Sequence, residues 1–116
     1  MEHSARGARS SGGLTVGLLP TEDPDDANPH IDLAIATGIG DGRNAILART
    51  ADGVIAIGGG LGTLSEIALA LRNRRPIIGI RTWRFDRDHR TEPELPVAAT
   101  PAEALEWLFR RMAERV

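Results

Sequence analysis

The sequence predicts an α/β fold with a mostly parallel sheet and helices on both of its faces. Three observations carry this. Short apolar runs at 14–19, 31–37, 53–57 and 76–80 have the length of strands. Helical patterns lie between and after them. Two of the strand-to-helix turns are rich in glycine, at 38–42 and 58–62. In doubly wound sheets the ligand sits at the C-terminal ends of the strands, so both turns should open on one edge of the sheet.

Each element has its own signal. Residues 2–11 are small and polar, with Ala5 and Ala8 as the apolar members, and read as a weak helix ended by Gly12-Gly13. Pro20 stops the strand at 14–19. Residues 20–30 carry Glu22, Asp23, Asp25 and Asp26 and read as a solvated loop rather than a metal site. A strand at 31–37 leads to the turn Gly38-Ile39-Gly40-Asp41-Gly42, and a helix at 42–50 takes Asp41 as its N-cap. Residues 53–57 alternate small and β-branched side chains, as a buried strand does. The next helix places Leu64, Ile67, Ala68 and Leu71 on one stripe. Asn73 is its expected left-handed C-terminal residue, with Pro76 just beyond. The charges of 81–96 cancel (Arg81, Arg84, Arg87 and Arg90 against Asp86, Asp88, Glu92 and Glu94), which describes a solvated loop. Thr100-Pro101-Ala102-Glu103 opens the last helix with an N-cap, a proline at the first helical position and a capping-box glutamate. Leu105, Leu108, Phe109 and Met112 form its expected buried stripe, with Trp107 off it as a surface or interface residue.

Composition narrows the function. The 116 residues make one domain, 1–116, with a formal net charge of −2 and no electrostatic case for nucleic acid or acidic lipid. With no cysteine there is no disulfide, zinc–thiolate site or thiol nucleophile, which fits a reducing compartment, and the expected location is the cytoplasm. No apolar run approaches the ~18 residues of a membrane span. All 14 basic residues are arginine. Without lysine these residues cannot form a Schiff base with pyridoxal phosphate and lack the lysine of a P-loop. His3, His30 and His89 are far apart in sequence and show no metal-ligand spacing.

The richest signal is the run from Gly53 to Glu66. Gly58, Gly59, Gly60 and Gly62 break a strand just before a helix. Such a turn lets a ligand approach the backbone, and the helix start presents unpaired N–H groups and the positive end of a dipole, a site for phosphate. Thr63 is either the N-cap or a phosphate ligand. Gly38 and Gly40 mark the companion turn. Glu66 is either a capping-box residue, three after Thr63, or a carboxylate held near a ribose. Arg43 opposes the dipole at the start of its own helix, a conflict that a bound anion would remove.

Two segments together resemble a known family. Arg43-Asn44-Ala45-Ile46-Leu47-Ala48-Arg49-Thr50-Ala51-Asp52 and Gly59-Gly60-Leu61-Gly62-Thr63-Leu64-Ser65-Glu66 look like the paired signature of the Lonely Guy (LOG) family, phosphoribohydrolases long mislabelled lysine decarboxylases. The resemblance implies a Rossmann-like fold. It implies catalytic roles for Arg43 and Glu66, and phosphate binding by Gly59, Gly60, Gly62 and Thr63. The chain departs from the enzyme motif at Gly58 (proline there), Asn44 (lysine) and Ser65 (glutamate). It is more similar still to a bacterial GGGxGTLSE branch that includes proteins like molybdenum-cofactor carriers and is distantly related to DprA/Smf proteins. In that family a first βαβ unit with its own glycine turn precedes the residues seen here. Its absence implies an N-terminally truncated Rossmann-like domain with an uncovered sheet edge, and hence a homodimer. The expected ligand is a nucleotide or nucleotide-like compound, with the molybdenum cofactor as one candidate and no other cofactor required. The competing reading is a LOG-type nucleoside 5′-monophosphate phosphoribohydrolase.

Overall fold

The computed structural model describes residues 1–85 and 95–114. The central part of the charge-balanced loop expected at 81–96, including His89, lies outside the described residues. The elements are α1 (Glu2–Ser10), β1 (Val16–Leu19), β2 (Leu33–Ala36), α2 (Arg43–Thr50), β3 (Val54–Ile57), α3 (Leu61–Arg72), β4 (Ile77–Ile80) and α4 (Pro101–Glu114). Both strand ladders among them, β1–β2 and β3–β4, are parallel. The fold is therefore α/β with parallel strands, as the alternation of strand and helix signals predicts. No helix among the described residues is long and apolar enough to cross a membrane. The chain forms two compact units, Met1–Arg43 and Asn44–Val116.

In the first unit the strands pair in register, Val16 with Leu33 through Leu19 with Ala36. They are shorter than the apolar runs, and Leu14 is exposed ahead of β1. One face carries Val16, Leu33 and Ile35, all exposed. The ladder is tied at its start by Thr15. Its N–H donates to Asp32 Oδ2 at 2.9 Å and its carbonyl accepts from the N–H groups of Asp32 and Leu33. Its hydroxyl lies 2.6 Å from the His30 carbonyl and 3.0 Å from Asp32 Oδ2, and its one proton goes to one of them. Arg9 Nε stands 3.2 Å from the other carboxylate oxygen.

The second unit explains its own burial pattern. β3 and β4 run in register from Val54–Ile77 to Ile57–Ile80. Neighbouring strand residues point to opposite faces. Val54, Ala56 and Ile77 pack under Ile67 and Ala70 of α3. Ile55, Ile78 and Ile80 pack under Ala104 and Trp107 of α4. Helices thus cover both faces of this ladder. β4 is buried along its whole length, because a backbone bridge from Gly79 to the segment at 96–98 also covers its second edge.

Four local expectations are corrected. First, α4 buries Ala104 along with the expected Leu108 and half-buries Trp107 and Met112, while Leu105 and Phe109 are exposed. The helix is rotated about its axis from the expected orientation, because Ala104 packs flush on the β-branched side chains of β4 and brings Trp107 in beside it. Second, α3 buries Ile67 and Ala70 and leaves Ala68 exposed. Third, the left-handed residue after α3 is Arg74 (φ 56°), not Asn73 (φ −85°). Asn73 uses its side-chain amide to donate to the Leu69 carbonyl instead. Fourth, Asp41 lies in a 3-10 turn, Gly40–Gly42, and makes no side-chain cap among the described residues. The start of α4 meets its expectation: the Glu103 N–H donates to Thr100 Oγ1 at 3.2 Å, and the Glu103 carboxylate accepts from the Ala99 N–H.

The Thr15 backbone N–H and then the Thr15 hydroxyl hold the Asp32 carboxyl below its ordinary value; burial opposes them, and the Arg9 guanidinium adds the smallest lowering. A group whose folded pKa is depressed stabilises the fold above its unfolded pKa and loses that contribution as pH falls through the folded value. Unfolding by urea at pH 7 and at stepwise lower values should show stability falling below pH about 4, near the unfolded carboxylate value. Asp32→Asn should be less stable than the natural chain at pH 7 and should flatten that part of the profile. An unchanged profile in the variant would contradict the assignment.

Candidate functional site

The site is built where β3 gives way to α3. Gly58 takes φ 91°, a conformation that side-chain-bearing residues rarely adopt, and turns the chain out of the sheet. Gly60 is the N-cap of α3 in extended conformation, and its carbonyl accepts the first helical bond from the Leu64 N–H at 3.0 Å. The helix therefore begins at Leu61, two residues before the expected N-cap at Thr63. Thr63 is its third residue, and Glu66 its sixth. The capping-box reading of Thr63 and Glu66 is thereby excluded, because a capping-box acid must stand three residues after the N-cap.

The carbonyls of this turn are fastened from behind. Thr82 Oγ1 donates to the Gly58 carbonyl, and Trp83 Nε1 donates to the Gly60 carbonyl at 3.1 Å. Thr82 has room to do this because residue 79 is glycine: a Cβ there would collide with the Thr82 methyl. The N–H groups of Gly59, Gly60, Leu61, Gly62 and Thr63 have no hydrogen-bond partner among the described residues, as the first turn of a helix requires. A Cβ built on Gly59, Gly60 or Gly62 would meet no atom within 4 Å. These three glycines are thus not needed for internal packing. They leave open space beside a row of donors at the positive end of α3.

The companion turn is different. Gly38 and Gly40 have φ of 66° and 59°. Their N–H groups donate to the carbonyls of Thr21 and Pro20, both at 2.9 Å. They shape a turn against the loop after β1, and their amides are engaged there. Arg43, at the start of α2, sends Nη1 to the Leu18 carbonyl at 2.8 Å. Gly38, Gly40 and Arg43 belong to the first unit, and the residues from Gly58 to Glu66 to the second.

Several residues of the site escape a reading by motif. Thr82 and Trp83 follow β4, twenty or more residues from the turn they hold, and only the parallel pairing of β3 with β4 brings them there. Arg81, between β4 and Thr82, is exposed and left-handed at φ 46°. Strained residues of this kind concentrate at functional sites. Asn44 is 2% exposed, and its Nδ2 lies 3.4 Å from Ser65 Oγ in α3, while its Oδ1 has no partner among the described residues. Asn44 and Ser65 are two of the positions where the chain departs from the LOG enzyme pattern, and here they contact each other. Glu66 is half-buried in α3 and makes no hydrogen bond or ion pair within the described residues.

Parallel strands, a glycine turn and an open helix start place the protein in the class of α/β proteins whose strand-to-helix turn leaves backbone N–H groups open. Within that class the chain belongs to the SLOG cluster4 family, which matches residues 1–105. It is 44% identical over 81 residues to an uncharacterized protein of Archaeoglobus fulgidus, covering 70% of this chain and 53% of that one. The chain thus spans about half the length of this curated relative. Two solved structures are similar. The molybdenum cofactor binding protein of Rippkaea orientalis is 36% identical with a TM-score of 0.84, over 97% of this chain and 71% of that one. The molybdenum cofactor carrier protein of Chlamydomonas reinhardtii is 27% identical with a TM-score of 0.74, over 96% and 69%.

Thr82→Val keeps the shape of the side chain but removes the donor to Gly58. Leaving that carbonyl unpaired should lower stability by about 1 kcal/mol. Amide exchange at Leu64, whose N–H makes the first bond of α3, should quicken, because the turn that starts the helix is no longer pinned. Unchanged urea midpoint and exchange would show that Thr82 does not hold the turn.

Proposed function

We propose that the chain is a binding or carrier protein for a phosphate-bearing, nucleotide-like cofactor, held by its phosphate at Gly58, Gly59, Gly60, Gly62 and Thr63. The observation that carries this is the row of unengaged N–H groups over open space at the start of α3. Backbone amides and a helix dipole bind phosphate without any lysine. Arg81, next in sequence to the clamping Thr82, would supply a guanidinium to the anion.

The two similar solved structures favour the molybdenum cofactor, a phosphorylated pterin that carries the metal, as the particular ligand. The residues present fit its phosphate end. Among the described residues no group of His, Cys, Asp and Glu could hold a metal ion directly, so the organic part would be what the chain grips. The metal of such a cofactor supplies redox chemistry when bound. The chain's own residues bind, orient and shield.

A phosphate-bearing ligand should raise the melting temperature, and its dephosphorylated form should not. Adenosine monophosphate and adenosine are a convenient first pair. At a hundredfold excess over Kd the stabilisation is about 2.7 kcal/mol, a rise on the order of 10 °C for a domain of this size. Gly60→Val should fold, since its side chain enters open space, yet abolish the rise by filling the cradle. Equal shifts with nucleotide and nucleoside, or a rise that survives in Gly60→Val, would refute the phosphate site.

A second reading, a LOG-type phosphoribohydrolase, is favoured by Glu66, which is freed from a capping role and half-buried behind the turn. There its carboxylate would stabilise positive charge developing at the anomeric carbon. If the natural chain releases free base from a nucleoside 5′-monophosphate, Glu66→Gln should abolish turnover with affinity and melting temperature nearly unchanged. No release by the natural chain leaves the carrier reading alone.

A further inference from the structure

At the far end of α3 from the glycine turn lies a cavity of about 630 Å³, lined by Arg72, Arg74, Arg75, Arg111, Pro76 and Glu114 among others. Four arginines face one glutamate in a chain whose net charge is −2. Two of the four have structural work. Arg75 donates through Nε to the Ala48 carbonyl at 3.2 Å and through Nη2 to the Arg49 carbonyl, satisfying the last carbonyls of α2. Arg111 lies over the Trp107 ring, 5.7 Å from its centroid, and 3.4 Å from Glu114. Arg72 and Arg74 have no ion pair or hydrogen bond from their guanidinium groups among the described residues.

Arg74 stands where a small residue belongs. α3 ends in a Schellman motif: the Arg74 N–H donates to the Leu71 carbonyl at 3.1 Å and the Arg75 N–H to the Ala70 carbonyl at 2.9 Å. The residue between helix and exit must be left-handed, and glycine takes that conformation freely. The chain keeps arginine there at φ 56°. Favourable interaction with the helix dipole does not require it, since Arg72 and Arg75 already supply that charge.

We propose that this cavity is a second anion site, taking a small multiply charged anion with phosphate or carboxylate groups. Arg72 and Arg74 are its cations without a partner among the described residues, and Arg75, fixed on α2, is its wall. Guanidinium forks match both oxyanions in paired hydrogen bonds. The site is separate from the glycine turn, because the twelve residues of α3 span about 18 Å. The proposal does not depend on the reading of that turn.

The test uses the full chain with pyrophosphate and citrate, each against sodium chloride at equal ionic strength, by calorimetric titration and thermal melting. Three variants accompany the natural chain: Gly60→Val, Arg74→Gly, and Arg72→Gln with Arg74→Gly. In Gly60→Val at least one of the two anions should still bind and raise the melting temperature by several degrees. Pyrophosphate alone, or citrate alone, identifies which oxyanion the cavity takes. Arg74→Gly should raise the melting temperature without ligand, by relieving the left-handed arginine, and weaken binding several-fold. The double variant should weaken it at least tenfold. The proposal fails if Gly60→Val loses all anion binding, if the double variant keeps it, if chloride gives the same shift, or if polyglutamate binds where neither small anion does.

Discussion

The second unit depends on how α3 is seated. Ile67 and Ala70 have no exposed surface, and they press on Val54, Ala56 and Ile77 at the small-residue face of β3 and β4. Burying one isoleucine side chain is worth about 2 kcal/mol or more. A one-residue turn of the helix would put Ala68 or Glu66 into that contact. The seating therefore sets both ends of α3 at once. Its first turn follows directly on the C-terminal end of β3, and its last turn meets Pro76 at the entry to β4.

Side-chain donors hold backbone carbonyls near each end of α3, those of the glycine turn at one and of α2 at the other. A chain segment that must turn sharply is held by hydrogen bonds to its carbonyls, and its outward groups are left open. At the glycine turn the holders are Thr82 and Trp83. At the α2 terminus the holder is Arg75. Pairing the acceptors inside frees the donors outside, and free donors together with cations are what an anion needs. Two arginines held left-handed, Arg74 and Arg81, mark these two ends.

The contact between Asn44 and Ser65 gives a physical sense to the departures from the enzyme motif. A lysine and a glutamate at those positions could form an ion pair. Asparagine and serine make a longer, uncharged contact and leave one buried carbonyl oxygen without a partner among the described residues. The substitution changes the charge at the junction of α2 and α3 without opening it, since Asn44 stays buried.

Local chemistry was enough to read the order of strands and helices, the parallel pairing, the glycine turn and the start of α4. Each rests on a short-range rule: strand length, backbone freedom of glycine, or a hydroxyl within reach of its own helix N–H groups. The face each helix buries was decided by tertiary packing. In α4 the periodicity allowed either Leu105 with Phe109 or Ala104 with Trp107, and the flat contact with Ile78 and Ile80 selected the pair containing alanine. The same holds for the helix start at Gly60, where the Trp83 indole fixes the carbonyl that begins α3. It holds as well for the arginine cavity, whose members come from the ends of two helices and the link into β4. A sequence lists such residues tens of positions apart, and only the packing of strands and helices makes them neighbours.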